Sequence, residues 1–403
     1  MGKSIPELTR LANECTCGNK HYNIPIEKIE ISHNAIHALP AFLKTKSFRK
    51  VSIVVDENTY AAAGQKVQAE LSKENIESII CKLTPDENND VIADEVTLIE
   101  ALLEIPNDAD VVIAVGSGTI HDIVRFSSYK MGKAFISVPT APSVDGFNSM
   151  GAPIVVKGMK QTFQMHSPIA IFADIEVLQS APKKMVAAGF GDMLGKFTSL
   201  ADWQFGHLTA EEPYCPFVAT ITMEALKGCI ENVDIISSAD AEGIEILFDA
   251  LIQSGLAMLI MGHSYPASGA EHHLSHFWEM EFLRRKKPQV LHGAKVGVTS
   301  QVIAALYKGE FLEFLLNENI VNEQSFDKIN LHKQEIVSII NQIPKADVLG
   351  QMIEKIGGDS TPEQLGVDEH LVAASIEGAH LIRNRYTMLR FLNENIKKKI
   401  GSL

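Results

Sequence analysis

The sequence predicts an α/β protein in two parts. An N-terminal parallel-sheet nucleotide-binding domain spans residues 1–180, an all-helical domain spans 181–403, and the active site lies in the cleft between them. Three observations carry this. Short apolar runs bounded by turns alternate with helical stretches through the first half. The β signal stops near residue 180. A glycine loop falls between a strand and a helix.

The runs are VSIVV (51–55), SIICKL (78–83), DVVIAV (110–115) and AFISVP (134–139). Strands that are apolar throughout, rather than at alternate positions, are buried on both faces, as in a parallel sheet covered by helices. The segment NTYAAAGQKVQAELSKEN after the first run and DEVTLIEALLEI after the second have helical composition, the latter opened by Asp94. APIVVKGMKQTFQM reads as a hairpin with Lys157-Gly158 at its tip, and IAIFADI (169–175) as a last strand. From there the chain is helix after helix, broken at Gly189, Gly191, Pro213, Pro266 and Pro344, with the boundary in QSAPKK.

Composition narrows the function classes. A chain of 403 residues that is 46% hydrophobic and 21% charged suits a soluble globular protein of two or three domains. A net charge of −14 argues against nucleic-acid binding, and an anionic substrate then needs a local cationic cluster. The N-terminal segment MGKSIPELTRLANECTCGNK lacks the apolar core of a signal peptide. LFDALIQSGLAMLIMGHSYP is interrupted by Asp249, Gln253 and Gly255, so it reads as a buried core helix rather than a membrane span. Five unevenly spaced cysteines suggest no disulfide framework and point to a reducing cytoplasm.

Gly116-Ser117-Gly118-Thr119 ends one predicted strand and opens the helix IHDIVRFSSYKM. Glycines let a phosphate approach the backbone, and the helix start offers unpaired N–H groups and a positive dipole end. A plain capped turn is the alternative. Asp56, at the end of the VSIVV strand, is placed to accept from an adenosine ribose hydroxyl. VPTAPSVDGFNS places Thr140, Ser143, Asp145 and Ser149 where neighbouring strand ends border one crevice; a solvated loop is equally open.

Asp192 in GFGDMLGK, His272 in GAEHHLSH and His292 in LHGAKVG offer one carboxylate and two imidazoles, a donor set for a divalent Lewis acid with coordination positions left open. Asp192 and Lys196 share a face if that segment is helical, as do His272 and His276, while His273 points elsewhere. A lone histidine on a helix is more often structural, and three distant residues have little specificity by spacing. A dinucleotide loop followed by such a donor set nevertheless suggests metal-assisted hydride transfer.

The ordered set GSGTIHD, PTAPSVDG, GFGDMLGK, EHHLSH and HGAKVG resembles the iron-containing alcohol dehydrogenase and dehydroquinate-synthase-like superfamily, and within it the bacterial sn-glycerol-1-phosphate dehydrogenases. The resemblance covers nearly the whole chain. It implies that Asp192, His272 and His292 hold nickel or zinc. It implies that Gly116, Ser117, Gly118, Thr119, Ile120 and Asp122 surround the pyrophosphate of NAD or NADP, with Asp56, Thr140, Ser143 and Ser149 also contacting the cofactor. It places Asp145, His276 and Asp192 against the substrate as the catalytic group, and implies a homodimer interconverting dihydroxyacetone phosphate and sn-glycerol 1-phosphate. His276 is the first candidate for proton relay, since an unperturbed imidazole titrates near neutrality; Asp145 is placed to orient substrate hydroxyls. Lys196 and Lys295 are the candidates for the substrate phosphate by their spacing from Asp192 and His292, with surface lysines the alternative. Arg383 and Arg385 read better as a solvated helix face.

Rival readings are a dehydrogenase of unphosphorylated glycerol or another polyol, a lyase of the dehydroquinate synthase kind that uses NAD only transiently, and a nucleotide-sensing protein with a dead site. Cys15, Cys17 and His21 put three soft ligands within seven positions. A second metal site and a redox pair are open there, but a terminal loop with incidental thiols is the favoured reading.

Overall fold

The computed structural model describes residues 2–317 and 326–397. Its first half is built on a six-stranded sheet of order β1-β8-β5-β4-β2-β3. The strands are β1 (Lys28–Ser32), β2 (Lys50–Val55), β3 (Glu77–Lys82), β4 (Val111–Gly116), β5 (Ala134–Pro139) and β8 (Ala170–Asp174), and every pairing is parallel. β6 (Gly151–Val156) and β7 (Met159–Gln164) form a separate antiparallel hairpin. Its tip residues Lys157 and Gly158 both have positive φ, 52° and 74°, as the twist of a two-residue hairpin turn requires.

The apolar runs of the sequence are thus strands, and β4 and β8 are buried along their whole length. β1 was not foreseen. Its five residues, KIEIS, alternate in polarity and are all half-buried, because this strand forms one edge of the sheet.

Helices cover both faces. α1 (Ile5–Glu14) precedes the sheet; α2 (Leu39–Thr45), α3 (Glu57–Thr59) and α4 (Gln65–Lys73) come next, followed by α5 (Glu95–Glu104) and α6 (Gly118–Lys130). Asp94 opens α5 by accepting from Val96 N and Thr97 N, at 3.0 Å each. One core gathers Leu39, Leu43, Ile53, Val67 and Ile113; the opposite face gathers Val54, Leu98, Val112 and Ile123.

After α7 (Ile175–Gln179) the described chain is helical: α8 (Lys183–Leu194), α9 (Lys196–Ala210), α10 (Pro216–Glu231), α11 (Val233–Ser238), α12 (Ala241–Met261), α13 (Ala270–Arg284) and α14 (His292–Leu306), then shorter helices. The long apolar segment is α12, packed inside this body with Leu247, Phe248, Leu251, Leu256 and Ile260 buried. The division at residue 180 does not describe the first residues, however. Leu8, Ala12 and Ile26 belong to the helical core, and Gly2 N donates to Asp249 Oδ2 at 2.6 Å.

Gly189 and Gly191 do not open α8; they lie inside it. A Cβ on Gly189 would sit 1.9 Å from Pro142 O, and one on Gly293 1.9 Å from Ala188 O. The glycines therefore let α8 press against the 140–145 loop and against the first turn of α14, drawing Asp192 and His292 together.

Candidate functional site

Strand order reverses between β2 and β4, so the carboxyl ends of these two strands part into a crevice, the usual ligand position in an open α/β sheet. Asp56 leaves β2 and Ser117 leaves β4 at that point. The crevice continues between sheet and helices as a cleft of about 890 Å³.

The outer part carries the expected nucleotide residues. Asp56, Ser117, Gly118, Thr119, Ile120, Asp122, Thr140, Ser143 and Ser149 all line the cleft; Gly116 lies beneath it. Gly116 serves instead the tight start of α6, where a Cβ would come within 2.5 Å of Ile120. Ser117 is the N-cap of α6, but its hydroxyl makes no capping bond and is free for a ligand. Asp56 caps α3, accepting from Thr59 N at 2.7 Å through one carboxylate oxygen.

The loop is braced from behind. His121 bonds Ser117 O at 2.9 Å and Ser137 Oγ at 2.7 Å. Arg125, fully buried, donates to Asp122 Oδ1 at 2.6 Å and to the carbonyls of Gly146 and Gly151. Burial lifts the Asp122 carboxyl to about 7 against the pull of Arg125.

The inner end brings the three separated ligand candidates together. One donor atom from each of Asp192 on α8, His272 on α13 and His292 at the start of α14 lies within 4.8 Å of the others. His272 Nε2 is 3.6 Å from Asp192 Oδ1. The other ring nitrogen, Nδ1, meets Glu271 Oε1 at 2.7 Å, so a proton held there leaves Nε2 free to ligate. Glu271 is fully buried and also accepts from Thr198 Oγ1 and Gly269 N, both at 2.6 Å. His292 Nδ1 is buried with no hydrogen-bond partner among the described residues. An orphaned imidazole nitrogen, a carboxylate and a second oriented imidazole fit a divalent cation.

The electrostatics agree. Burial works to raise the Asp192 carboxyl, but Lys196 and His272 override it and hold it ionised, far below the usual range. Burial works to lower His272, yet Asp192 and Glu271 outweigh it and raise the ring. The same negative field favours a dication. Burial keeps His276 and His292 neutral, with the Arg383 guanidinium adding to the effect on His276.

Asp145 lines the cleft beside this centre. Its backbone N donates to Asp192 Oδ2 at 2.9 Å, and its carboxylate accepts from Ser254 Oγ and Lys196 Nζ, each at 2.8 Å. Lys196 departs from expectation. It is fully buried, bonds Asp192 Oδ1 and Ala267 O at 3.1 Å each, and does not line the cleft. Its charge is already used beneath Asp145 and Asp192, so it is not placed to receive a phosphate.

Other cations fill that place. Lys295 lines the cleft as expected, and Lys160 from β7 and Arg383 join it. Both lysines contact Glu279, at 3.0 and 2.6 Å, leaving a net positive charge. Arg383 donates to His276 Nε2 at 3.0 Å and to Ser268 Oγ at 3.0 Å. Neither Arg383 nor Arg385 is on a solvated helix face. Both lie in the irregular stretch after 381, where Arg385 is buried over the Tyr265 ring and donates to Ser268 O. Lys160, Glu279 and Glu271 had not been singled out; only Glu271 carried a local signal, as the residue preceding a candidate ligand.

The fold and this donor set have relatives. Residues 30–182 match the family model for iron-containing alcohol dehydrogenase. A glycerol-1-phosphate dehydrogenase (NAD(P)+) of Geobacillus stearothermophilus is 51% identical over 98% of this chain and 99% of its own. The chain belongs to the glycerol-1-phosphate dehydrogenase family. The family's reach is wide: the Bacillus subtilis (strain 168) member is 43% identical over 94% of each chain, and the Pyrococcus furiosus member 31% over 90% and 92%. Among solved structures, glycerol dehydrogenase of Schizosaccharomyces pombe shares the fold at a TM-score of 0.63 and 18% identity, covering 94% of this chain and 91% of that one. NADH-dependent butanol dehydrogenase A of Thermotoga maritima does so at 0.64 and 15%, covering 94% of each.

Proposed function

We propose that this chain is a metal-dependent oxidoreductase that interconverts dihydroxyacetone phosphate and sn-glycerol 1-phosphate with NAD(P)(H). One observation carries the reading: a single cleft holds the loops for a dinucleotide, two histidines at its inner end backed by the buried Asp192 as a donor set, and three cations beside that set. Membership of the glycerol-1-phosphate dehydrogenase family supports it. When bound, the nicotinamide exchanges the hydride and a divalent cation, nickel or zinc, supplies Lewis acidity toward the substrate oxygen.

The chain's own groups do the rest. Asp192, His272 and His292 hold the cation, and Glu271 orients His272. Ser117, Thr119 and the start of α6 receive the pyrophosphate, while Asp56 turns its second carboxylate oxygen to the ribose and disfavours a 2′-phosphate there. Lys160, Lys295 and Arg383 bind the substrate phosphate, with Glu279 spacing the two lysines. Asp145, fixed by Ser254 and Lys196, orients a substrate hydroxyl. Arg383 donates to His276 Nε2, which places the His276 proton on Nδ1, a buried atom with no hydrogen-bond partner among the described residues and 3.9 Å from Glu279 Oε2. His276, its ring fixed by Arg383, is placed to relay a proton to the substrate oxygen, directly or through water, taking one up from solvent as it gives one.

We infer a homodimer in a reducing cytoplasm, the latter supported by five cysteines that are all free. The test is NADH oxidation by dihydroxyacetone phosphate after chelation and after adding back nickel or zinc. Turnover restored by metal and absent with dihydroxyacetone supports the reading. Turnover of unphosphorylated polyols instead, or phosphate release without net change in NADH, moves the assignment to the polyol or lyase class.

A further inference from the structure

A second group of ligand-type side chains lies away from the cleft. α1 ends at Glu14, and the chain then turns through Cys15, Cys17 and His21 before Tyr22 N is tied to Ile260 O at 2.9 Å. Cys215, some 200 positions on in sequence, is the N-cap of α10 and fully buried. The fold places all four together, with one donor atom from each lying within 4.8 Å of the others. Cys15 Sγ is 3.7 Å from Cys215 Sγ, Cys17 Sγ is 3.7 Å from His21 Nε2, and His21 Nε2 is 3.2 Å from Cys215 Sγ. None of the four lines the cleft.

We propose that Cys15, Cys17, His21 and Cys215 form a closed tetrahedral zinc site that fastens the N-terminal segment to the helical half. Sulfur and nitrogen ligands at 2.0–2.3 Å from a tetrahedral zinc stand about 3.5–3.8 Å from one another. The distances found are near that spacing before any cation draws the groups in. Three thiolates and an imidazole select zinc over harder cations. The surroundings support the ligands: Asn19 Nδ2 donates to Cys17 Sγ at 3.5 Å and to Tyr214 O at 2.7 Å, and Val218 N, in the first turn of α10, points at Cys215 Sγ at 3.5 Å. N–H groups directed at sulfur stabilise thiolates, as a helix start does. On zinc entry three thiol protons leave and His21 ligates as a neutral ring. No coordination position remains for substrate, so the site is structural. A disulfide between Cys15 and Cys215 would account for only two of the four groups.

The full chain with Asp192→Ala is the first sample to measure, because that change removes the oxygen donor of the cleft centre. Its zinc content by elemental analysis, and its zinc-edge X-ray absorption, report the second site by itself. The expected result is close to one zinc per chain with sulfur neighbours at about 2.3 Å, and loss of that zinc when Cys17→Ser is added. His21→Cys should keep the zinc with a fourth sulfur neighbour, a result that does not depend on Cys17→Ser folding. Zinc-free Asp192→Ala chain after purification with zinc present, zinc bound without sulfur neighbours, or a Cys15–Cys215 disulfide in the unreduced chain by mass spectrometry would each overturn the proposal. None of these measurements depends on turnover, so they stand apart from the fate of the cleft assignment.

Discussion

Glu271 accepts from Thr198 Oγ1, Gly269 N and the His272 ring while fully buried, so its charge and its geometry both act on the metal centre. Glu271→Gln keeps the volume and removes the charge. Loss of a carboxylate behind a ligating histidine weakens metal binding by roughly 10–100-fold, and competition with a chromogenic chelator is the measurement; unchanged affinity would show that His272 is oriented by something else. Lys196 makes a contrasting case. It looked like a phosphate ligand because it stands four residues from Asp192, and that same proximity has buried it. Lys196→Met leaves Asp145 and Asp192 as adjacent buried carboxylates, and breaking such a pair costs about 3–5 kcal/mol. The expected outcome is a lowered denaturation midpoint; a variant of normal stability with a raised KM for the phosphorylated substrate would return Lys196 to the substrate. Lys160 escaped notice, and Arg383 was read as part of a solvated helix face, for the opposite reason. A hairpin strand and a C-terminal loop meet α13 only in the folded chain, and no spacing in the sequence announces that meeting.

Elements were legible where their residues are uniform in character. β4 and β8 are continuous apolar runs because both faces are covered, whereas β1 at the edge is mixed and passes for a loop. The hairpin announced itself through Lys157-Gly158. The glycines of α8 misled, because a glycine pair reads as a break when its use is helix against helix. α8 and α14 touch through Gly191 and Gly293, while Gly189 meets Pro142, and the helix contact sets the separation of Asp192 and His292. Gly293→Ala puts a methyl carbon 1.9 Å from Ala188 O, which the helices relieve only by moving apart. Overpacking of this kind costs about 1–3 kcal/mol. The variant should lose metal affinity more than stability, since small displacements of two ligands matter more to coordination than to the core. Denaturant midpoints and metal titration on one preparation separate the two effects, and a variant that binds metal normally would show that the helix contact does not set the ligand spacing.

At the scale of the whole molecule, stability is tied to keeping several histidines uncharged. Burial, with the Arg125 guanidinium adding to it, lowers His121 to about 3 and His166 to about 4. Both belong to the α/β half: His121 ties Ser117 O to Ser137 Oγ behind the nucleotide loop, and His166 accepts or donates at Ser128 Oγ on α6. Unfolded, each ring takes up a proton as pH falls through about 6.5, while the folded chain refuses it. The unfolded state then binds more protons, so stability declines as pH falls from 6.5 until the folded values near 3 to 4 are reached. Each ring contributes a slope of at most about 1.4 kcal/mol per pH unit. Paired carboxylates add to the loss only further down, near their own unfolded values around 4. Asp122 and Asp202, both held near 7 in the folded chain, act the opposite way over the same range, so the part of one histidine is read from the difference between wild type and a variant. Urea unfolding between pH 6.5 and 5 should show stability falling more, or rising less, on acidification in the wild-type chain than in His121→Asn, which retains a polar side chain at the site and cannot titrate. Equal slopes in the two proteins would mean that the folded chain accepts a proton at His121, and that the brace behind the nucleotide loop tolerates charge.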